Sequence, residues 1–284
     1  MSKKIAASEM PLNQDGSVYH LNLLPSDIGQ DIIFVGDPER VERVSKFFDS
    51  VEIKKAKREF VTHTGTLNGK KLTVLSTGIG TDNIDIVINE LDALVNIDLE
   101  TREIKPEHTT LNIVRFGTSG SVNPKIGAGS FVKSKYSVGF DGLMKFYPEH
   151  KDSADFKKEF LSNFKYNEIE SLLYFTEGSK ELFDKFGEGF VVGNTGSLSG
   201  FYGPQGRELR LKPLAADFLD RLHENGLDNF EMETSGIYAF ANLLGHNALS
   251  LNCIIANRST GEFLDNYKEA VDEMIAKALN VMTQ

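Results

Sequence analysis

The chain has 284 residues, 40% of them hydrophobic and 25% charged, with a net charge of -10 and one cysteine, Cys253. That length predicts one large domain over residues 1–284 with a sizeable core, and the acidic balance argues against nucleic acid or an anionic membrane as the main partner. There is no apolar run of about 18 residues and no apolar core of a signal peptide, so a cytoplasmic protein without disulfides is expected, with Cys253 as a small core residue.

Residues 1–17 are polar and turn-rich and predict a flexible arm. A strand from Asp31 to Val35 ends at Gly36-Asp37-Pro38-Glu39-Arg40-Val41, where Asp37 can cap a helix that starts at Pro38. Phe60 to Leu75 reads as a hairpin turning at Asn68-Gly69. Ser76-Thr77-Gly78-Ile79-Gly80 then leads into a helix whose apolar positions Ile84, Val87, Ile88, Leu91 and Leu94 fall at helical spacing. Asn96 to His108 is a polar excursion. The run Leu111 to Phe116 reads as a buried strand, and Gly117-Thr118-Ser119-Gly120 as a tight turn at its end. After the segment Gly129 to Val138 comes an acidic helical stretch from Lys151 to Phe186. Asn229 to Glu233 leads into a helix from Thr234 to Leu244, closed by Gly245. A strand from Leu249 to Ala256 ends at Asn257-Arg258, and a last helix runs from about Leu264 to Met282. Strands and helices alternate, with polar residues at strand C-termini. That pattern predicts an α/β class, a three-layer α/β/α sandwich with its site at the carboxyl edge of the sheet.

Arg115 is the most informative residue, because it interrupts an apolar strand. A guanidinium keeps its proton, and burying it alone costs several kcal/mol or more, so it must face an anion. That anion is either the carboxylate of a structural ion pair or a ligand such as phosphate; Thr118 and Ser119 at the strand end supply the hydroxyls and N–H groups of an anion nest. Gly36 and Arg40 could serve the same anion, or form only a solvated helix start; Arg58 by itself reads as a solvated charge. Glu231 and Glu233 flank Met232, so in extended chain both carboxylates face one way. They suit acid–base glycoside chemistry, a clamp on sugar hydroxyls, or merely the approach to a helix N-terminus. Phe201 to Arg207 offers an aromatic face, an amide (Gln205) and a guanidinium (Arg207), the groups needed to stack on and read a planar heterocycle. The glycine-rich turns match neither the dinucleotide nor the Walker fingerprint. The six histidines show no metal-ligand spacing, and no metal site is expected.

Taken together, His20 to Leu23, Gly36 to Val41, Arg58-Glu59-Phe60, Ser76 to Gly80, Arg115 to Gly120, Phe201 to Arg207, Phe230 to Glu233 and Asn257-Arg258 resemble the nucleoside phosphorylase family, in its uridine phosphorylase branch. The resemblance implies a sandwich built around a mixed, barrel-like sheet. It implies that Gly36, Arg40, Arg115 and Thr118 bind phosphate, with Arg58 donated by a neighbouring subunit. Met232 and Glu233 would hold ribose, with His20 reaching its 5′ end across the interface. Phe201, Gln205, Arg207, Glu231 and Arg258 would bind the base. Relatives that cleave purines carry an aspartate where this chain has Asn257-Arg258, which favours a pyrimidine.

The implied reaction is reversible phosphorolysis of uridine to uracil and ribose 1-phosphate, with Arg115, Arg40, Glu233 and Arg207 at its centre and no cofactor beyond the co-substrate phosphate. The alternatives are a purine nucleoside phosphorylase or hydrolytic nucleosidase of the same fold, and, from another class, a non-catalytic nucleoside sensor. A homodimer is the implied minimal unit, with a hexamer open. A structural monovalent cation could sit near Glu59 and Ile79, although Asn83 stands where some relatives place a serine ligand.

Overall fold

The computed structural model describes residues 4–215 and 217–284. Its strands are β1 (Asp31–Val35), β2 (Ser50–Lys57), β3 (Phe60–Leu67), β4 (Lys70–Ser76), β5 (Ile97–Asp98), β6 (Glu103–Ile104), β7 (Asn112–Ser121), β8 (Phe131–Gly139), β9 (Tyr174–Glu177), β10 (Val191–Ser197), β11 (Asn229–Glu231), β12 (Asn247–Asn257) and β13 (Glu262–Phe263). The α-helices are α1 (Pro38–Ser45), α2 (Thr81–Asn96), α3 (Ala154–Leu161), α4 (Asn167–Glu170), α5 (Lys180–Lys185), α6 (Phe218–Glu224), α7 (Thr234–Leu244) and α8 (Tyr267–Thr283).

Five strands close on themselves in the order β7, β12, β8, β10, β11 and back to β7, making the mixed barrel that the family resemblance implied. From β7 the sheet continues outward through β1, β4, β3 and β2. The pivot is β7: residues 112–115 pair in parallel with β1, Gly120 and Ser121 pair antiparallel with β11, and β12 runs alongside almost its whole length. A strand covered on every side reads as one apolar run.

Alternate side chains serve different layers. Ile32, Phe34 and Ile113 pack with Ile84, Val87 and Leu91 of α2 and Ile237 and Phe240 of α7. Ile33, Val35, Val114 and Phe116 pack on the other side with Val41 and Val44 of α1 and Val271 and Ile275 of α8. Cys253 lies in this second cluster, where burial pushes its thiol up to about 11. By the same period, Arg115 points to the side of Ile113, toward the α7 layer. A third, phenylalanine-rich cluster sits beneath α3 and α6.

Several expectations need correction. The stretch from Lys151 to Phe186 is not helical throughout: β9 lies within it, paired antiparallel to β8, and its first three residues are buried. The small residues 117–120 form no turn, because β7 continues to Ser121. They are small because other groups cross them. A Cβ on Gly117 would lie 1.6 Å from Arg115 Nη1, and one on Gly120 would lie 2.7 Å from the Phe230 ring. The excursion after α2 contains a small hairpin, β5 with β6. The last helix begins at Tyr267, since the Leu264 N–H still donates to the Ile255 carbonyl at 2.9 Å. Of the lead-in expected as a flexible arm, residues 1–3 lie outside the described residues, and the remainder makes hydrogen bonds to other segments. The Ile5 N–H donates to the Arg102 carbonyl at 2.9 Å, and the Asn13 amide donates to the Val18 carbonyl at 2.8 Å.

Candidate active site

A cleft of about 1150 Å³ opens at the carboxyl edge of β1, β4, β7 and β12. Eleven of the thirteen residues to which the resemblance gives a substrate-binding role line it together: Gly36, Arg40, Arg115, Thr118, Phe201, Gln205, Arg207, Glu231, Met232, Glu233 and Arg258. His20 and Arg58 do not. His20 presents Nδ1 to Glu90 Oε1 at 2.7 Å, and the Glu90 carboxylate also accepts from the backbone N–H groups of His20 and Leu21. Arg58 occupies the turn between β2 and β3 at φ 56°, beside Glu59, which does line the cleft.

Arg115 has the carboxylate partners of the first reading and a place on the cleft wall. Its Nη2 donates to Glu233 Oε2 at 2.6 Å and lies 3.2 Å from Glu231 Oε2, and its Nη1 donates to Asn252 Oδ1 at 2.6 Å. It is therefore a buried ion pair that also lines an open cleft. Burial opposes its charge, but the two carboxylates outweigh that cost and raise its pKa above the ordinary arginine value.

The carboxylates differ in their duties. Glu231 accepts from Ser197 Oγ at 2.7 Å and from the backbone N–H groups of Glu233 and Thr234 at 3.0 Å. It thereby anchors the N-terminus of α7, where a negative charge also suits the helix dipole. Glu233 accepts from the Gly80 N–H at 2.8 Å and from Arg115, and an ionised carboxylate has lone pairs left after two such bonds. Burial lifts the Glu233 pKa above the ordinary glutamate value; Arg115 pulls it down, and the Glu231 charge adds to the rise.

Arg40 has no such company. Its Nη1 donates to the Phe116 carbonyl at 3.3 Å, and its Nε is buried without a hydrogen-bond partner among the described residues. Asp37, whose charge acts on Arg40, spends Oδ1 on the Glu39 N–H as the cap of α1. Burial and then the positive charge of Arg115 lower the pKa of Arg40. Two guanidiniums that repel one another beside an open cleft are groups that could hold an anion.

The other end of the cleft is built on a loop. The Arg207 guanidinium lies 3.9 Å from the centre of the Phe201 ring and donates to the Phe201 carbonyl at 2.6 Å and to Gln205 Oε1. Arg258 donates to the Gln205 carbonyl at 3.4 Å. Burial, followed by the charge of Arg258, lowers the pKa of Arg207. Next to it, Asn257 is wholly consumed as an anchor. Its amide donates to the Asn123 and Ile126 carbonyls at 3.0 Å and accepts from the Ser259 and Thr260 N–H groups at 2.9 and 3.1 Å. It has no hydrogen to offer a base in the cleft.

Sequence reasoning missed Asn252 and Ser197, which fix Arg115 and Glu231, because neutral polar residues in β-strands carry no charge signal. It also missed a convergence remote from the cleft, where Asp92, His108 and His246 place ligand-type atoms within 4.8 Å of one another. His246 Nδ1 accepts from the Leu111 N–H at 3.2 Å, so the ring proton is on Nε2, facing Asp92 at 3.3 Å. That nitrogen has no lone pair for a metal. At the site considered for a monovalent cation, the Ile79 carbonyl accepts from the Asn83 amide at 3.3 Å.

A model of the phosphorylase superfamily matches residues 30–283. The chain belongs to this superfamily. It is 31% identical over 268 residues to the uridine phosphorylase of Thermococcus kodakarensis, covering 93% of this chain and 86% of that one. It is 29% identical over 253 residues to the uridine phosphorylase of Escherichia coli, covering 86% and 88%. In structure it is similar to a Trypanosoma brucei nucleoside phosphorylase described as showing uridine phosphorylase activity. The TM-score is 0.82 at 26% identity, with 95% of this chain and 99% of that one covered.

Proposed function

We propose that this protein is a uridine phosphorylase, converting uridine and phosphate reversibly to uracil and ribose 1-phosphate. The observation that carries the reading is the buried Arg40 guanidinium, with an unpartnered Nε, facing the cleft beside Arg115. A hydrolase needs one activated water at that position; two arginines suit a nucleophile that brings its own negative charge.

Phosphate sits against Gly36, Arg40, Arg115 and Thr118, below C1′ of the ribose. Glu233 accepts hydrogen bonds from the sugar hydroxyls, which favours ribose, and Met232 packs against the ring. As the glycosidic bond lengthens, its electron pair moves to N1 of the base and spreads over the uracil carbonyl oxygens. Arg207 and Gln205 donate to those oxygens, beside Phe201 and Arg258. The sugar takes on oxocarbenium character, and the phosphate charge beneath it stabilises that cation until a phosphate oxygen bonds to C1′. The departing uracil anion then takes a proton from water. Positioning and electrostatics do the work, and no step passes through a metal. A purine would need protonation at its leaving base, and Asn257 has no free hydrogen to give.

Arg58 and His20 lie outside the cleft of their own chain, which supports a homodimer in which each subunit completes its neighbour's site; a hexamer would repeat that unit. The test is uracil release from uridine with and without phosphate, against an inosine and adenosine panel. Strict phosphate dependence with preference for uridine is expected, and equal release without phosphate overturns the reading. Mixing R58A with R115A subunits regenerates intact sites and recovers activity if Arg58 acts in trans; no recovery in verified mixed dimers places Arg58 elsewhere.

A further inference from the structure

The barrel interior is polar, and one hydrogen-bonded chain runs around it to the cleft. Asn229 Nδ2 donates to Ser119 Oγ and Thr195 Oγ1 donates to Asn229 Oδ1, each at 2.8 Å. The hydroxyls of Ser134 and Thr195 are 2.6 Å apart. Asn252 Nδ2 donates to Ser250 Oγ at 3.1 Å and to Ser134 Oγ at 3.4 Å, and Asn252 Oδ1 accepts from Arg115 Nη1 at 2.6 Å. Asn252, Ser134, Thr195, Asn229 and Ser250 are all fully buried. The sense of the chain is forced from one end, because arginine only donates; Oδ1 must face it and Nδ2 must face the serines.

We infer that Asn252 is a positioning residue for phosphate: it holds the Arg115 guanidinium in its binding orientation through a neutral acceptor. This rests on the reading that Arg115 binds phosphate. Both carboxylates near Arg115 act on Nη2, whereas Nη1 is held by Asn252. Without that acceptor the guanidinium can pivot about Nη2, and its remaining N–H groups lose their aim. Neutrality matters as much as position. Glu231 and Glu233 already offset the charge of Arg115, which leaves Arg40 to carry the positive charge, so a third carboxylate would set a negative charge against the incoming phosphate. An amide orients the arginine without that penalty.

The decisive variant is N252D, which keeps the size and the acceptor and adds only charge; the Ser134 and Ser250 hydroxyls can turn to donate to it. Charge-assisted bonds carry roughly 1.5–3 kcal/mol, a factor of about 10 to 150. N252D is expected to raise the KM for phosphate by at least about 30-fold, moving the KM for uridine by less than about 3-fold. It should also abolish the thermal protection that phosphate gives the nucleoside-free protein. N252A, which removes the acceptor without adding charge, should raise the phosphate KM by about 10-fold. If N252D does not fold, N252A decides. A phosphate KM within about 3-fold of wild type, or equal changes in both KM values, overturns the inference. Wild-type uracil release that ignores phosphate would instead overturn the reading beneath it.

Discussion

At one end of the cleft, Arg115 sits in the middle of β7, pinned by two carboxylates and an amide, with Arg40 one turn into a helix capped by Asp37. At the other, Arg207 and Arg258 belong to a loop and a strand end, held by backbone carbonyls and the Gln205 side chain, with an exposed phenylalanine as support. Both ends gather positive charge against the acidic balance of the chain. The first places its cations on regular structure, where geometry is set by neighbours on several strands. The second leaves them on connecting segments that can settle onto a ligand. The division suits the chemistry: the nucleophile and sugar must be placed to within fractions of an ångström, whereas the base is a planar group that can be stacked and gripped.

Removing the key cation from each end should therefore fail differently. R115A deletes a donor that Asn252, Glu231 and Glu233 have been arranged around, and strands two buried carboxylates. Its kcat/KM for phosphate should fall by about 10³-fold or more, at the upper range for loss of one preorganised anion contact. A drop that spares the phosphate dependence would break the comparison. R207A should be milder and point the other way. The KM for uridine should rise by about 10- to 100-fold, the worth of one charge-assisted bond to the base, while the KM for phosphate stays within about 2-fold. Matching losses in both constants would mean that the loop shapes the whole cleft.

The same contrast explains how much could be read from sequence. A charge inside an apolar run announces itself, so Arg115 was legible, and so were β1, the Asp37 cap and the strand-to-helix passage at Glu233. The barrel was not. Its strands β8 and β10 turn Ser134, Ser137, Thr195 and Ser197 inward, so hydrophobic periodicity is weak where the sheet closes. Strand β2 escaped for a different reason: its residues alternate between exposed and half-buried at the sheet edge, several of them lysines, and Val51 and Ile53 alone give too short an apolar signal. The partners of Arg115 and Glu231, Asn252 and Ser197, are ordinary strand residues until the fold puts a guanidinium and a carboxylate against them.

The subtlest test concerns pH and needs no mutation. Burial, reinforced by Glu231, holds the Glu233 pKa above the ordinary glutamate value, with Arg115 in partial opposition. A raised carboxylate pKa means that protonation comes at a higher pH as the solution is acidified. Protonated Glu233 no longer accepts from the ribose hydroxyls with a full charge, and its pairing with Arg115 weakens. Thus kcat/KM for uridine should fall on the acid side at a pH above the value of about 4.3 expected of a free glutamate, well before acid unfolding by circular dichroism. An acid limb at or below the free-glutamate position would show that the rigid end does not control this carboxylate, and an unchanged limb in E233Q would assign it to another group.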